Sequence, residues 1–149
     1  MRRVLCLDPG GKTGLAIFDF EATSEANLIH YEEVPDGLNG FIGWYKTNRQ
    51  SYSWDLVVCE NFTLRTSVTF PDLSPVYIIG ALEALELPRE TVYQAPSQKH
   101  LCDDARLKVM GLHKPGLGHA NDAIRHGIIY LRNSRHMPTL KKGWADNEL

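Results

Sequence analysis

The chain has 149 residues, 43% of them hydrophobic, which suits one domain with a single sizeable core. No apolar run approaches the roughly 18 residues that span a bilayer, and the first residues lead straight into a short apolar strand, so a cytoplasmic protein without signal peptide or membrane anchor is expected. The formal charge of −2 divides unevenly: residues 1–94 carry 7 Lys/Arg against 13 Asp/Glu, and residues 95–142 carry 9 against 3, a pattern compatible with a basic face that meets phosphates.

In chain order, Arg3 to Leu7 and Gly14 to Phe20 are apolar and β-prone and read as a hairpin around "DPGGKT". That turn is no phosphate-binding P-loop, because the register requires a glycine where Cys6 stands. A third strand is expected over Leu28 to Val34. A helix capped near Asp36 follows, with Leu38, Phe41, Ile42 and Tyr45 on one face. "WDLVVCE", Trp54 to Glu60, has the near-continuous apolar run of a strand buried on both faces. "NFTLRTSVTF" then breaks periodicity as a loop, before a helix from about Leu73 to Leu87. "TVYQA" is the fifth strand. "PSQKHLCDDARLKVMG" reads as one helix opened by a Pro-Ser cap and ended at Gly111. The last helix, "HANDAIRHGIIYLRNS", turns Ala120, Ala123, Ile124, Gly127, Ile128 and Leu131 inward. The domain is placed at 1–137, with 138–149 as a loose tail.

This order predicts an α/β fold: a mixed five-stranded sheet, antiparallel meander first and parallel strands after, flanked by helices. Such a sheet can set the ends of its first and fourth strands side by side, with the last helix across them. Asp8, Glu60 and Asp122 would then converge, joined by His119, which lies three residues before Asp122 on the same helical face. Three carboxylates and an imidazole brought together call for a positive partner. Hard oxygen ligands suit Mg²⁺ or Mn²⁺, and two such ions about 3.5–4 Å apart could activate a water and stabilise the leaving oxygen of a phosphodiester. The three cysteines, Cys6, Cys59 and Cys102, are expected as buried free thiols. A zinc site from His100, Cys102 and His113 is disfavoured, since it lacks a fourth ligand and any common spacing.

"CLDPGGKTGLAIFD", "DLVVCENF", "APSQKH" and "GHANDAIRHGI" resemble, in order and spacing, the four signature segments of RuvC-type Holliday junction resolvases, in the ribonuclease H-like nuclease superfamily. The resemblance runs from about Arg3 to Arg132. It implies a metal-dependent endonuclease, a homodimer, that nicks four-way DNA junctions symmetrically in a bacterial cell or a virus-infected bacterial host. Asp8, Glu60 and Asp122 match the family's metal ligands. His119 stands where many members carry aspartate and some histidine, as ligand or water-orienting base. Lys99 matches a lysine that meets the scissile phosphate. Phe62 is displaced by one residue from the family's aromatic wedge. Lys12, Arg65, Lys108, Lys114 and Arg125, with Arg132 and Arg135, are candidates for backbone phosphate contacts, and Leu64 and Phe70 for contacts with bases. Three alternatives stand beside this reading: a nuclease acting on branched DNA generally, a non-catalytic binder of branched nucleic acid, and an actin-like ATPase, for which 149 residues leave no second lobe.

Overall fold

The computed structural model describes residues 1–86 and 89–149. Three antiparallel strands open the chain, β1 (Arg2–Asp8), β2 (Thr13–Glu21) and β3 (Ser24–Val34), followed by helix α1 (Gly37–Tyr52). Strand β4 (Leu56–Glu60), helix α2 (Ser74–Glu86) and strand β5 (Thr91–Gln94) complete the sheet, whose order is β3-β2-β1-β4-β5. β1 pairs antiparallel with β2 but parallel with β4, and β4 parallel with β5, giving the expected mixed sheet. After β5 come a 3₁₀ turn (Pro96–Leu101), helix α3 (Asp104–Val109), the long helix α4 (Gly118–Asn133) and a short α5 (Met137–Leu140).

Side chains alternate across a strand, so the sheet separates two apolar layers. Val4, Cys6, Ala16, Phe18, Leu56 and Val58 face α4, meeting Ala123, Ile124 and Ile128. Leu5, Leu7, Leu15, Ile17, Val57 and Cys59 face α1 and α2, meeting Phe41, Trp44, Ile78 and Leu82. The inner stripe expected of the last helix is the stripe that packs. Gly127 belongs to it for a steric reason: a Cβ there would lie 2.7 Å from the Phe18 ring and 2.8 Å from the Cys6 sulfur. All three cysteines are buried and free, and burial pushes the Cys102 thiol up to about 12. No described helix is long and apolar enough to cross a membrane.

Three local expectations change, and one falls outside the described residues. Asp36 holds the N-cap position of α1, its carbonyl accepting from the Gly40 amide at 3.2 Å, but it sits in the left-handed region (φ 70°) and its side chain makes no capping bond. The segment after β5 is two pieces, because Asp103 accepts from the Arg106 amide at 2.9 Å and starts α3 afresh. Residues 138–144 do not trail away as a loose tail. Thr139, Leu140 and Trp144 are buried, the Thr139 hydroxyl accepts from the Ala26 amide at 2.8 Å, and the Arg106 guanidinium lies over the Trp144 ring. The helix expected to end at Leu87 is described to Glu86, and Leu87 lies outside the described residues.

Candidate metal and nuclease site

The alternation that builds the core also builds the site. Asp8 follows Val4 and Cys6 at alternate positions of β1, and Glu60 follows Leu56 and Val58 on β4, so both carboxylates face α4. Register sets them side by side, since Leu7 pairs with Cys59 one residue earlier. Helix α4 supplies Asp122 from its second turn. Each of Asp8, Glu60 and Asp122 then offers an oxygen within 4.8 Å of the others.

Two features hold the start of α4 against the strand ends. A Cβ on Gly14 would come within 1.8 Å of the His119 carbonyl oxygen, so only glycine lets β2 approach the helix this closely. Glu33 of β3 caps the same end, its Oε1 accepting from the amides of His119 (2.9 Å) and Ala120 (3.4 Å). Asn121 ties the preceding loop, accepting from the Lys114 amide and donating to the Lys114 carbonyl, both at 2.8 Å.

Charge within the cluster is unevenly balanced. The Lys99 ammonium lies 2.8 Å from Asp122 Oδ2 and 3.0 Å from Glu60 Oε2. Asp122 Oδ1 is also held by Arg125. Burial raises the Glu60 carboxyl, but hydrogen bonds from His126 and Lys99 outweigh it, so Glu60 is held below the usual carboxylate range. Asp8 lacks such a cation. Burial first, then the charges of Glu60 and Asp122, push it up to about 6; Lys99 and a 3.2 Å contact with His119 Nδ1 only moderate the rise. Thus part of the positive charge expected from a metal is already supplied by protein cations, and the unmet demand concentrates at Asp8. Three hard oxygen donors around an under-neutralised, partly open point fit a divalent ion of the Mg²⁺ or Mn²⁺ kind.

His119 reaches the edge of the cluster through Asp8 but stands outside the group of three. Lys12 is half exposed, 3.6 Å from Glu33, and Lys114 lies 4.6 Å over the Tyr31 ring. Arg65 and Lys108 are exposed, Leu64 and Phe70 also, and Phe62 is half-buried. A groove of about 490 Å³ runs from Glu60 and Lys99 past Phe62, Arg65 and Pro9. Arg125 is a correction. It is 8% exposed, binds Asp122, Asp104 and the Cys102 carbonyl, and so belongs to the frame of the acid cluster and not to a phosphate-binding surface. Sequence reasoning also passed over His126 and Gln94. The signals were there: His126 lies one turn beyond Asp122 on the inner side of α4, and Gln94 ends β5 in register with Glu60.

No protein-family model matches the sequence, nor does any curated protein. Solved structures do match. RuvC of Thermus thermophilus in complex with a Holliday junction substrate superposes with a TM-score of 0.71 at 18% identity, over 91% of this chain and 97% of that one. The chain has the RuvC fold. The fowlpox virus Holliday junction resolvase matches at a TM-score of 0.57 and 15% identity, over 88% of this chain and 99% of that one. A yeast mitochondrial Holliday junction resolvase matches at 0.53 and 12%, over 91% of this chain and 62% of its own. The architecture is therefore ribonuclease H-like, as the four sequence segments implied.

Proposed function

We propose that the protein is a metal-dependent, structure-selective DNA endonuclease that nicks four-way junctions by phosphodiester hydrolysis. The observation that carries this reading is the convergence of Asp8, Glu60 and Asp122 at the joined ends of β1, β4 and α4, in a fold shared with junction resolvases. Asp8, Glu60 and Asp122 would hold one or two Mg²⁺ or Mn²⁺ ions, with His119 as a further ligand or as the group that orients water. When bound, such ions supply a nucleophilic water at neutral pH and neutralise charge on the phosphate.

The chain's own groups do the rest. Lys99 has its ammonium in the cluster and beside the groove, where it can meet negative charge that develops on the scissile phosphate. His119, half exposed and against Asp8, can accept or hold a proton at the rim. Arg65, Lys12, Lys108 and Lys114 would grip backbone phosphates, and Phe62 would stack on or wedge between bases where the groove opens. A homodimer gives two such sites related by symmetry, as paired nicks require. The outer face of α2 suits that contact, since Leu73, Val76, Tyr77 and Leu85 are each at least 40% exposed.

The test is cleavage of a labelled four-way junction with Mg²⁺ or Mn²⁺, beside flap and fork substrates. Paired symmetric nicks in the junction support the reading; equal cutting of flaps and forks would replace it with a general branched-DNA nuclease. Folded protein that cuts nothing with either ion ends it. Lys99 gives a second reading its footing, because an ammonium already lodged between Glu60 and Asp122 also suits a metal-free binder of branched DNA. Junction binding without Mn²⁺ uptake would select that alternative.

A further inference from the structure

Glu60 is gripped from inside the core as well as from the cleft. The His126 ring is fully buried, its Nε2 2.7 Å from Glu60 Oε2 and its Nδ1 2.6 Å from Gln94 Oε1. Gln94, also buried, donates from Nε2 to the His126 carbonyl at 3.2 Å. That bond fixes which way the amide points: reversed, it would set its oxygen against a carbonyl oxygen and lose the donor. The imidazole therefore lies between the Gln94 amide oxygen and the Glu60 carboxylate, with one ring nitrogen in hydrogen-bond reach of each. Strand register places Gln94 opposite Glu60, so the tie runs from β5 through α4 and back to β4.

Such a tie restricts the carboxylate more than packing does. Oε2 takes His126 from below and Lys99 from the side, which uses both of its lone pairs and opposes rotation of the group. Among the described residues no hydrogen bond engages Oε1. A buried His–Gln pair is no better for stability than apolar side chains of the same shape, so its polar chemistry asks for another reason.

We infer that His126, locked by Gln94, is a positioning residue for Glu60, fixing its carboxylate in the orientation in which it joins Asp8 and Asp122 in holding a divalent ion. This rests on the metal-dependent reading above. Outer partners of ligating carboxylates typically govern about ten- to a hundredfold in metal affinity. They do so without touching substrate.

Mn²⁺ titration calorimetry on the full chain, with melting temperature as a check on folding, tests it. His126→Leu should bind Mn²⁺ about ten- to a hundredfold more weakly than the parent. His126→Gln, which can still donate to Glu60, should recover most of that loss. Gln94→Leu leaves the ring in place but unlocked, and should fall between. Junction affinity without divalent ions should stay unchanged in all three. A folded His126→Leu that binds Mn²⁺ as tightly as the parent overturns the inference, as does an equal loss in His126→Gln; if His126→Leu does not fold, parent-like affinity in Gln94→Leu overturns it. A parent that binds Mn²⁺ yet cuts no junction defeats the nuclease reading alone, and the variant series still decides the role of His126. A parent that takes up no Mn²⁺ defeats both.

Discussion

Two groups of acid in this molecule occupy opposite situations. Glu86, at the end of α2, is sealed in the layer between α1 and the sheet, where its Oε1 accepts from the Tyr45 hydroxyl (2.6 Å) and the Trp54 indole (2.9 Å), with Arg49 and Arg89 within 3.8 Å. Asp8, Glu60 and Asp122 crowd a point that solvent reaches, with side chains 11%, 14% and 25% exposed. A sealed acid with aromatic donors and two arginines fastens helix to sheet. Open acids whose charges raise Asp8, and leave it with little counter-charge, keep room for a cation from outside. Concentration and access, not burial alone, separate the site from the scaffold.

The largest effect should come from removing the acid that lacks its own cation. Asp8→Asn is expected to lower junction cleavage about a thousandfold or more, equivalent to ~4 kcal/mol of transition-state stabilisation. Its melting temperature without metal should rise, because ionised Asp8 is unfavourable in the folded chain above pH 6. Single-turnover cleavage and thermal melting together check this. Loss of both activity and stability would make Asp8 a structural residue and erase the contrast with Glu86.

Glu86→Ala should do the reverse. Leaving the Tyr45 hydroxyl and Trp54 indole without their acceptor, and two arginines without their acid, is expected to cost about 3 kcal/mol in chemical denaturation. Cleavage per folded molecule should stay as in the parent.

A smaller and graded effect is expected from pH. Folded Asp8 keeps its proton up to about pH 6, whereas an unfolded aspartate releases it near 3.8. Without metal, Asp8 therefore contributes stability at low pH that is lost as pH rises between those values. Metal uptake must displace the same proton, so apparent Mn²⁺ affinity should fall about tenfold for each pH unit below 6. Melting curves from pH 4 to 8, with and without Mn²⁺, should diverge through this window. In Asp8→Asn the divergence should vanish.

Much of this contrast was legible in the sequence because it rests on periods of two and 3.6. Alternation along Val4–Cys6–Asp8 and Leu56–Val58–Glu60 sets two carboxylates on one face, and the stripe from Ala120 to Leu131 sets α4 across them. What escaped was what tertiary pairing alone decides. Nothing local tells that Glu33 caps a helix 86 residues away, or that Arg125 turns inward to Asp122 and Asp104 instead of outward to phosphate. Lys99 was legible as a cation near the site, but its lodging between two of the acids depends on the 3₁₀ turn after β5, where one continuous helix was expected. Residues 138–144 carry a proline, two lysines and a glycine and look like a tail, yet Trp144 packs beneath the Arg106 guanidinium.

Arginine exposure gives the mildest test of the same distinction. Arg65 stands in the loop beside the groove, exposed and free of ion pairs among the described residues, whereas Arg125 is shut inside the acid frame. If Arg65 meets a backbone phosphate, Arg65→Ala should weaken junction binding roughly uniformly across sequences and reduce the slope of log affinity against log salt by about one. Mn²⁺ affinity should not move. Arg125→Ala should show the opposite: an unchanged salt slope, because no phosphate is lost, but weaker Mn²⁺ uptake, because Asp122 is released from its brace. Parallel salt slopes for the two variants would place both arginines on the DNA surface and dissolve the boundary between frame and groove.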